Sequence, residues 1–393
     1  MKLLSFFTIL FFCTISPAQA LDFNAIEARW QSGWYEEVGA LVSDAAAQKN
    51  ADHRALYYKA RSLLFTRHLE EAQDWAEKAT KAAPDSSTYW AQLGAAKAFR
   101  IQEKPMRGIT LGRSCKKDFE KAVKLDPTNL ESLWALMRFH MHAPGIVGGN
   151  KDKAWEMADK IMALNPAQGH QALAQLHVHL DEDPVKAQAD NRAAAAADPT
   201  NAKICFDIGQ SLLNRGLRDE ALEFYHLGAE REKNTAEGLV KLAGAYMRIQ
   251  DLDRAEDYLR QAQATAPEEL SATLWLGEIL RYRGHAEEAI AHFRAILNEH
   301  PDYVPARFHL GQALVQANRD IPEAAELLQS YLETQLNMAW PSRSKANWQL
   351  ALAQEKMGSF DRALESITLA KELSWGGDHL DSDMQRLEFM AKD

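Results

Sequence analysis

Small and apolar residues recur along this chain at a fixed interval. In HRALYYKARSLLFTRHLEEAQDWAEKATKAAPDSS, which starts at His53, the residues Ala60, Ala72, Ala76, Ala79 and Pro84 occupy positions 8, 20, 24, 27 and 32. The spacing returns in Gly209, Ala221, Tyr225 and Gly228, and again in Ala243, Ala255, Leu259, Ala262 and Pro267. Gly277, Ala289, Phe293, Ile296 and Pro301 repeat it, and Ala351, Ala363, Ile367 and Ala370 close the series. The pattern predicts two antiparallel helices per block. A small residue at position 8 of the first helix, and at 20 and 27 of the second, lets the two backbones approach. A bulkier residue at 24 fills the space beside them, and proline at 32 stops the second helix.

This spacing, over a unit of ~34 residues, resembles the tetratricopeptide repeat family. The resemblance covers nearly the whole chain after its first residues. It implies an all-α fold: a right-handed superhelical solenoid of antiparallel helix pairs, closed by a C-terminal capping helix. One pair cannot bury its apolar face alone, whereas stacked neighbours bury a continuous core.

The expected organisation follows the departures from the period. Residues 1–20, MKLLSFFTILFFCTISPAQA, have a basic start, an apolar run and an Ala18-Gln19-Ala20 ending, and read as a signal peptide cleaved after Ala20. Residues 21–52 read as a degenerate first unit, and 53–377 as the array, with insertions near 100–114 and 142–149. The polar stretch 378–393, after Trp375-Gly376-Gly377, reads as the capping helix. An extended unit near Trp340 offers a dimer contact, although the sequence does not give the oligomeric state.

The insertion HAPGIVGGNKDKA raises the question of a phosphate loop, G-x-x-x-x-G-K-[ST]. Counted from Gly145, the second glycine is replaced by Asn150, Lys151 follows, and the Mg²⁺-binding hydroxyl is replaced by Asp152. The preceding ESLWALMRFHMH has helical periodicity, not the strand that the motif requires. The glycines therefore read as a wide turn, with Asn150 capping the next helix. Amides at that helix start, beside Lys151, would offer a seat for an anion. Helices joined across a similar apolar loop occur in some exported bacterial tetratricopeptide proteins, a resemblance that suggests a periplasmic protein.

A formal charge of −10 argues against nucleic acid as a partner. Cys115 and Cys205, the cysteines beyond the signal peptide, read either as buried small groups or as a single bridge. Burial is favoured because each falls where the repeat wants a small core residue, and the sequence does not tell whether they pair. No nucleophilic triad or acid/base pair stands apart from ordinary helix-end charges. The chain is therefore read as a non-enzyme with no cofactor.

Two kinds of site remain. Histidines end successive first helices: His140 and His142, then His177 and His179, with His170 nearby. Imidazoles suit zinc or copper, so these four are the candidate metal ligands. Residues two apart on a helix point to different faces, which limits any common centre to one of each pair. The second site is implied by the resemblance. In tetratricopeptide proteins the first helices line a concave groove and contact the ligand from set positions. Those positions here carry Tyr57, Arg61 and Phe65, then Trp134, Arg138 and His142, then His177. Phe206, Gln210 and Asn214 follow, then Met247 and Arg248, Arg281 and Tyr282, Phe308, and Trp348. The favoured expectation is a non-catalytic periplasmic scaffold that binds a segment of another protein in this groove, in cell-envelope assembly, cytochrome maturation or secretion. The other is a periplasmic ligand- or metal-binding protein using the histidines.

Overall fold

The computed structural model describes residues 21–103, 108–374 and 378–391. The proposed signal peptide lies outside the described residues, as do 104–107 of the first insertion and Trp375-Gly376-Gly377. Every regular element described is helical. Three short helices, α1 (Phe23–Gln31), α2 (Tyr35–Leu41) and α3 (Ser43–Ala46), open the chain. Nine antiparallel pairs follow: α4 (His53–Phe65) with α5 (Leu69–Ala82), α6 (Ser87–Glu103) with α7 (Gly108–Leu125), α8 (Leu130–His142) with α9 (Lys151–Leu164), and α10 (Pro166–His179) with α11 (Pro184–Ala197). The series continues with α12 (Ala202–Asn214) and α13 (Arg218–Arg231), α14 (Ala236–Arg248) and α15 (Leu252–Thr265), and α16 (Leu270–Tyr282) and α17 (Ala286–Glu299). It ends with α18 (Val304–Ala317) and α19 (Ile321–Leu332), α20 (Arg343–Lys356) and α21 (Phe360–Glu372), and a last helix, α22 (Asp378–Met390).

The spacing acts through close approach. A Cβ on Gly277, at position 8, would lie 2.5 Å from the ring of Phe293, at position 24, so only glycine admits that ring against the α16 backbone. Gly209 stands in the same relation to Tyr225. The core is accordingly a spine along the stack. Leu133, Met137 and Ile161 fill its N-terminal part, Leu242 and Leu259 the middle, and Phe293, Phe308 and Tyr331 the C-terminal part. First helices also touch the next first helix, as α6 touches α8, α8 touches α10, and α16 touches α18. The layer whose members converge in this way is the concave one.

The two insertions are handled differently. The first lengthens its pair: α6 has 17 residues and α7 has 18, against 13 or 14 in most others. The second folds as a plug. After Pro144, a 3-10 turn (Gly145–Val147) turns Val147 inward onto Gly112, while Ile146 stays exposed. The amides of this loop are used internally. Gly148 N donates to Gly145 O, Gly149 N to Pro144 O, Asn150 N to His140 O, and Lys153 N to the Asn150 side chain that caps α9. The helix in front and these bonds make it a turn and not a phosphate cradle.

Cys115 and Cys205 are free and fully buried on different helices. Burial pushes the Cys115 thiol up to about 12.

The ends of the array meet. Gly33, between α1 and α2, accepts from Met338 N at 3.0 Å, and Asn337 Nδ2 donates to Ser32 O at 2.8 Å. Trp34 and Trp340 pack edge to face with centroids 5.1 Å apart. The extended segment near Trp340, expected to offer a dimer contact, makes an intramolecular one. Further along, Arg67 Nε donates to Glu372 O.

Candidate functional site

Four successive first helices, α6, α8, α10 and α12, enclose a cleft of about 740 Å³. Trp134 and Arg138 reach it from α8, Gln168, Gln171, Gln175 and His179 from α10, and Lys203, Ile204, Asp207 and Ser211 from α12, with Arg215 at the α12 end. The Trp134 ring is held by a hydrogen bond from its Nε1 to Gln168 Oε1 at 2.9 Å, and the Arg138 guanidinium lies 4.9 Å above that ring. Arg138 is exposed, yet the cleft walls strip part of its hydration and lower its pKa.

The remaining groove positions separate into groups. Arg61 stacks on Trp30 of α1 at 4.3 Å, and Phe65 packs on Trp30 and Tyr35. The N-terminal helices thus pack against this part of the wall, leaving Phe65 partly exposed and Tyr57 buried. In the middle, Gln210 Nε2 and Arg248 Nη2 both donate to Asn214 Oδ1, at 2.9 Å each, an open polar chain between α12 and α14. Phe206, Met247 and Phe308 lie in the core and not on an open surface. Trp348 Nε1 donates to Asp383 of α22 at 2.8 Å, so the last helix caps it.

Arg281 turns back to Glu278, with Nε to Oε1 at 2.9 Å and Nη2 to Oε2 at 2.8 Å. His309 Nδ1 lies 2.9 Å from Oε1 of the same carboxylate. Burial by itself would raise the Glu278 pKa. His309 and the Arg281 guanidinium more than reverse this and hold it at about 2. Tyr282, next to Arg281, is exposed.

The four candidate metal ligands do not converge. His140 is buried beside the glycine turn, its Nδ1 without a hydrogen-bond partner. His142 and His179 meet in the concave layer with ring centroids 5.1 Å apart. His177 faces the opposite way, to Asp181 at 3.0 Å, Asp190 at 3.4 Å and the Trp155 ring. His170 shares Asp190 at 2.9 Å. Among the described residues, no group of three or more histidine, cysteine or carboxylate side chains is placed to hold a metal. The expectation that placed His177 in the groove is corrected here: a 100° step per residue brings His179 into the cleft instead. The cleft amides and Arg215 were not singled out from sequence. Only the register of each first helix against its neighbours selects them.

Residues 240–304 match one family model described as tetratricopeptide repeat, and residues 280–338 match a second. The stretch 240–338 is thus similar in sequence to tetratricopeptide repeats. The helix pairs from α14 to α19 lie within or across that stretch, and the pairs on either side repeat their architecture. Tetratricopeptide repeats mediate protein–protein interactions as scaffolds. No curated protein matches this sequence. Among solved structures, yeast Tom70 aligns over 94% of this chain and 94% of its own, at 13% identity and a TM-score of 0.49. A tetratricopeptide repeat protein from Parabacteroides merdae ATCC 43184 aligns over 66% of this chain and 98% of its own, at 14% identity and a TM-score of 0.47. MamA 41-end from Desulfovibrio magneticus RS-1 aligns over 44% and 94%, at 23% identity and a TM-score of 0.32.

Proposed function

We propose that this chain is a non-catalytic scaffold of the bacterial periplasm that holds an extended segment of a partner protein during cell-envelope assembly, cytochrome maturation or secretion. The observation that carries the binding part is the cleft across α6, α8, α10 and α12. It offers an aromatic ring, an arginine on that ring and a row of side-chain amides from one concave wall. Arginine and tryptophan are the residues in which interface binding energy concentrates, and amides can pair with the backbone of an extended chain. Export rests on the leader-like residues 1–20. Among the described residues no helix is long and apolar enough to cross a membrane. The metal-binding alternative loses its motive, because the four histidines divide among three surroundings.

Site-specific photo-cross-linking in intact cells tests the proposal. A photoreactive residue at Gln175, in the cleft, should capture a defined protein. One at the exposed Lys160, on a second helix, should not. Equal capture at both positions, or none at Gln175, sinks the groove reading. Export is judged separately: mature protein beginning at Leu21 in a periplasmic extract supports it, and a retained Met1 in the cytoplasm refutes it.

A further inference from the structure

The charges of the cleft are distributed unevenly. The cationic Arg138 and Arg215 lie at or near the C-terminal ends of two first helices, α8 and α12, on either side of α10. Among the described residues, neither Arg138 nor Arg215 is paired with a carboxylate. The acidic groups of the cleft are engaged or distant. Asp207 pairs with Lys203 at 2.5 Å. Asp198 accepts from Thr200 and Asn201. Glu131 stands seven residues before Arg138 on α8, about 10 Å along the helix.

We infer that this end of the cleft is a seat for carboxylate side chains, so that the partner segment is acidic where it passes Arg138 and Arg215. This rests on the groove reading above. An arginine laid on a fixed tryptophan is already ordered, so little rotamer freedom is lost when it takes up an anion. Elsewhere in this array arginines at first-helix ends find partners within the chain: Arg281 takes Glu278, and Arg283 takes Asp253 and Glu256. Arg138 and Arg215 are left for a partner from outside. A continuous polyanion such as nucleic acid fits poorly. It would have to run past Glu131, Asp198 and Asp207, on a protein of net charge −10. A short acidic stretch, followed by neutral residues against Gln168, Gln171 and Gln175, matches the lining.

Fluorescence polarisation on the purified protein tests this with matched labelled peptides. One is rich in glutamate and phenylalanine; its twin has glutamine at every glutamate. The glutamate peptide should bind at least about tenfold more tightly, with a preference that shrinks as salt rises. Arg138→Glu should abolish the preference, Arg215→Glu should reduce it, and Arg138→Lys should retain part of it. Lys81→Glu, the same charge change on an outer helix, should leave it intact. Circular dichroism and melting temperature establish that each variant is folded. If both peptides bind equally and Trp134→Ala weakens both, the acidic preference is overturned while the groove stands. If neither binds, the inference is overturned, and cross-linking at Gln175 judges the groove independently.

Discussion

Arg343 grips Glu36 through two parallel hydrogen bonds, Nε to Oε1 and Nη2 to Oε2, each 2.7 Å long, across 307 residues of chain. The same guanidinium donates to the carbonyls of Leu332 and Thr334, and Leu336 N donates to Glu36 Oε2. A stacked array of helix pairs has two free ends. Here the N-terminal helices and the α19–α20 connection meet, and the superhelix closes on itself.

Opening this clasp should leave the repeats folded and change the shape. Arg343→Ala is expected to cost about 1–3 kcal/mol, as loss of charge-assisted hydrogen bonds to a half-buried carboxylate does. It should increase the radius of gyration in small-angle scattering while helix content stays constant. The exchange pair Glu36→Arg with Arg343→Glu should recover part of the compaction. An unchanged radius in Arg343→Ala would mean that the Trp34–Trp340 contact holds the ends without the ion pair.

Two glycines on first helices should respond in opposite directions. Gly277→Ala places a methyl 2.5 Å from the Phe293 ring. Overpacking of about 1–3 kcal/mol should outweigh the helix-propensity gain of up to about 1 kcal/mol. A Cβ on Gly244 meets nothing within 4 Å, so Gly244→Ala should keep that gain. Urea midpoints of the two variants check the sign of each.

The Glu278 carboxyl should shape the acid limb of stability. Its folded pKa of about 2 lies below its ordinary 4.5, so the ionised form stabilises the fold. That contribution is fully present above pH 4.5 and is lost as pH falls toward 2. The shift corresponds to roughly 3 kcal/mol, at about 1.4 kcal/mol per pH unit. Glu278→Gln should therefore lower the melting temperature at pH 7 and converge with the wild type near pH 2. A constant difference across that range would show that the loss is steric and not ionic.

The glycine turn should behave as a structural plug. Gly149→Ala drives a methyl into the Ala143 carbonyl, at 1.7 Å from its oxygen, whereas Gly145 has open space. The first variant should unfold the turn and lower the melting temperature; the second should be nearly neutral. Calorimetric titration with ATP and Mg²⁺ should give no binding heat in either variant or in the wild type. Saturable ATP binding lost in Gly149→Ala would restore the phosphate-loop reading.

The helices and their pairing were legible because the repeat is a local code. Gly277 against Phe293, and Gly209 against Tyr225, are sixteen residues apart. They meet whenever two helices fold back across a short turn. The Asn150 cap and the wide glycine turn are equally local. The groove was less legible. Trp134 and Arg138 line the cleft, but Phe206, Met247 and Phe308 occupy corresponding kinds of position and are buried. Exposure on a concave wall depends on how closely the next helix approaches. The exchange of His177 for His179 has the same origin, a rotation of α10 set by its packing against its neighbours.

Sequence alone determined the helix pairs, their order and the small residues that seat each pair, because each rests on contacts within about one repeat. Only the tertiary structure decided that Glu36 meets Arg343 and that α6 to α12 enclose a cleft. Closure is the sum of small rotations between successive pairs. No single repeat encodes that sum, so residues 307 apart become neighbours only when the whole array is assembled.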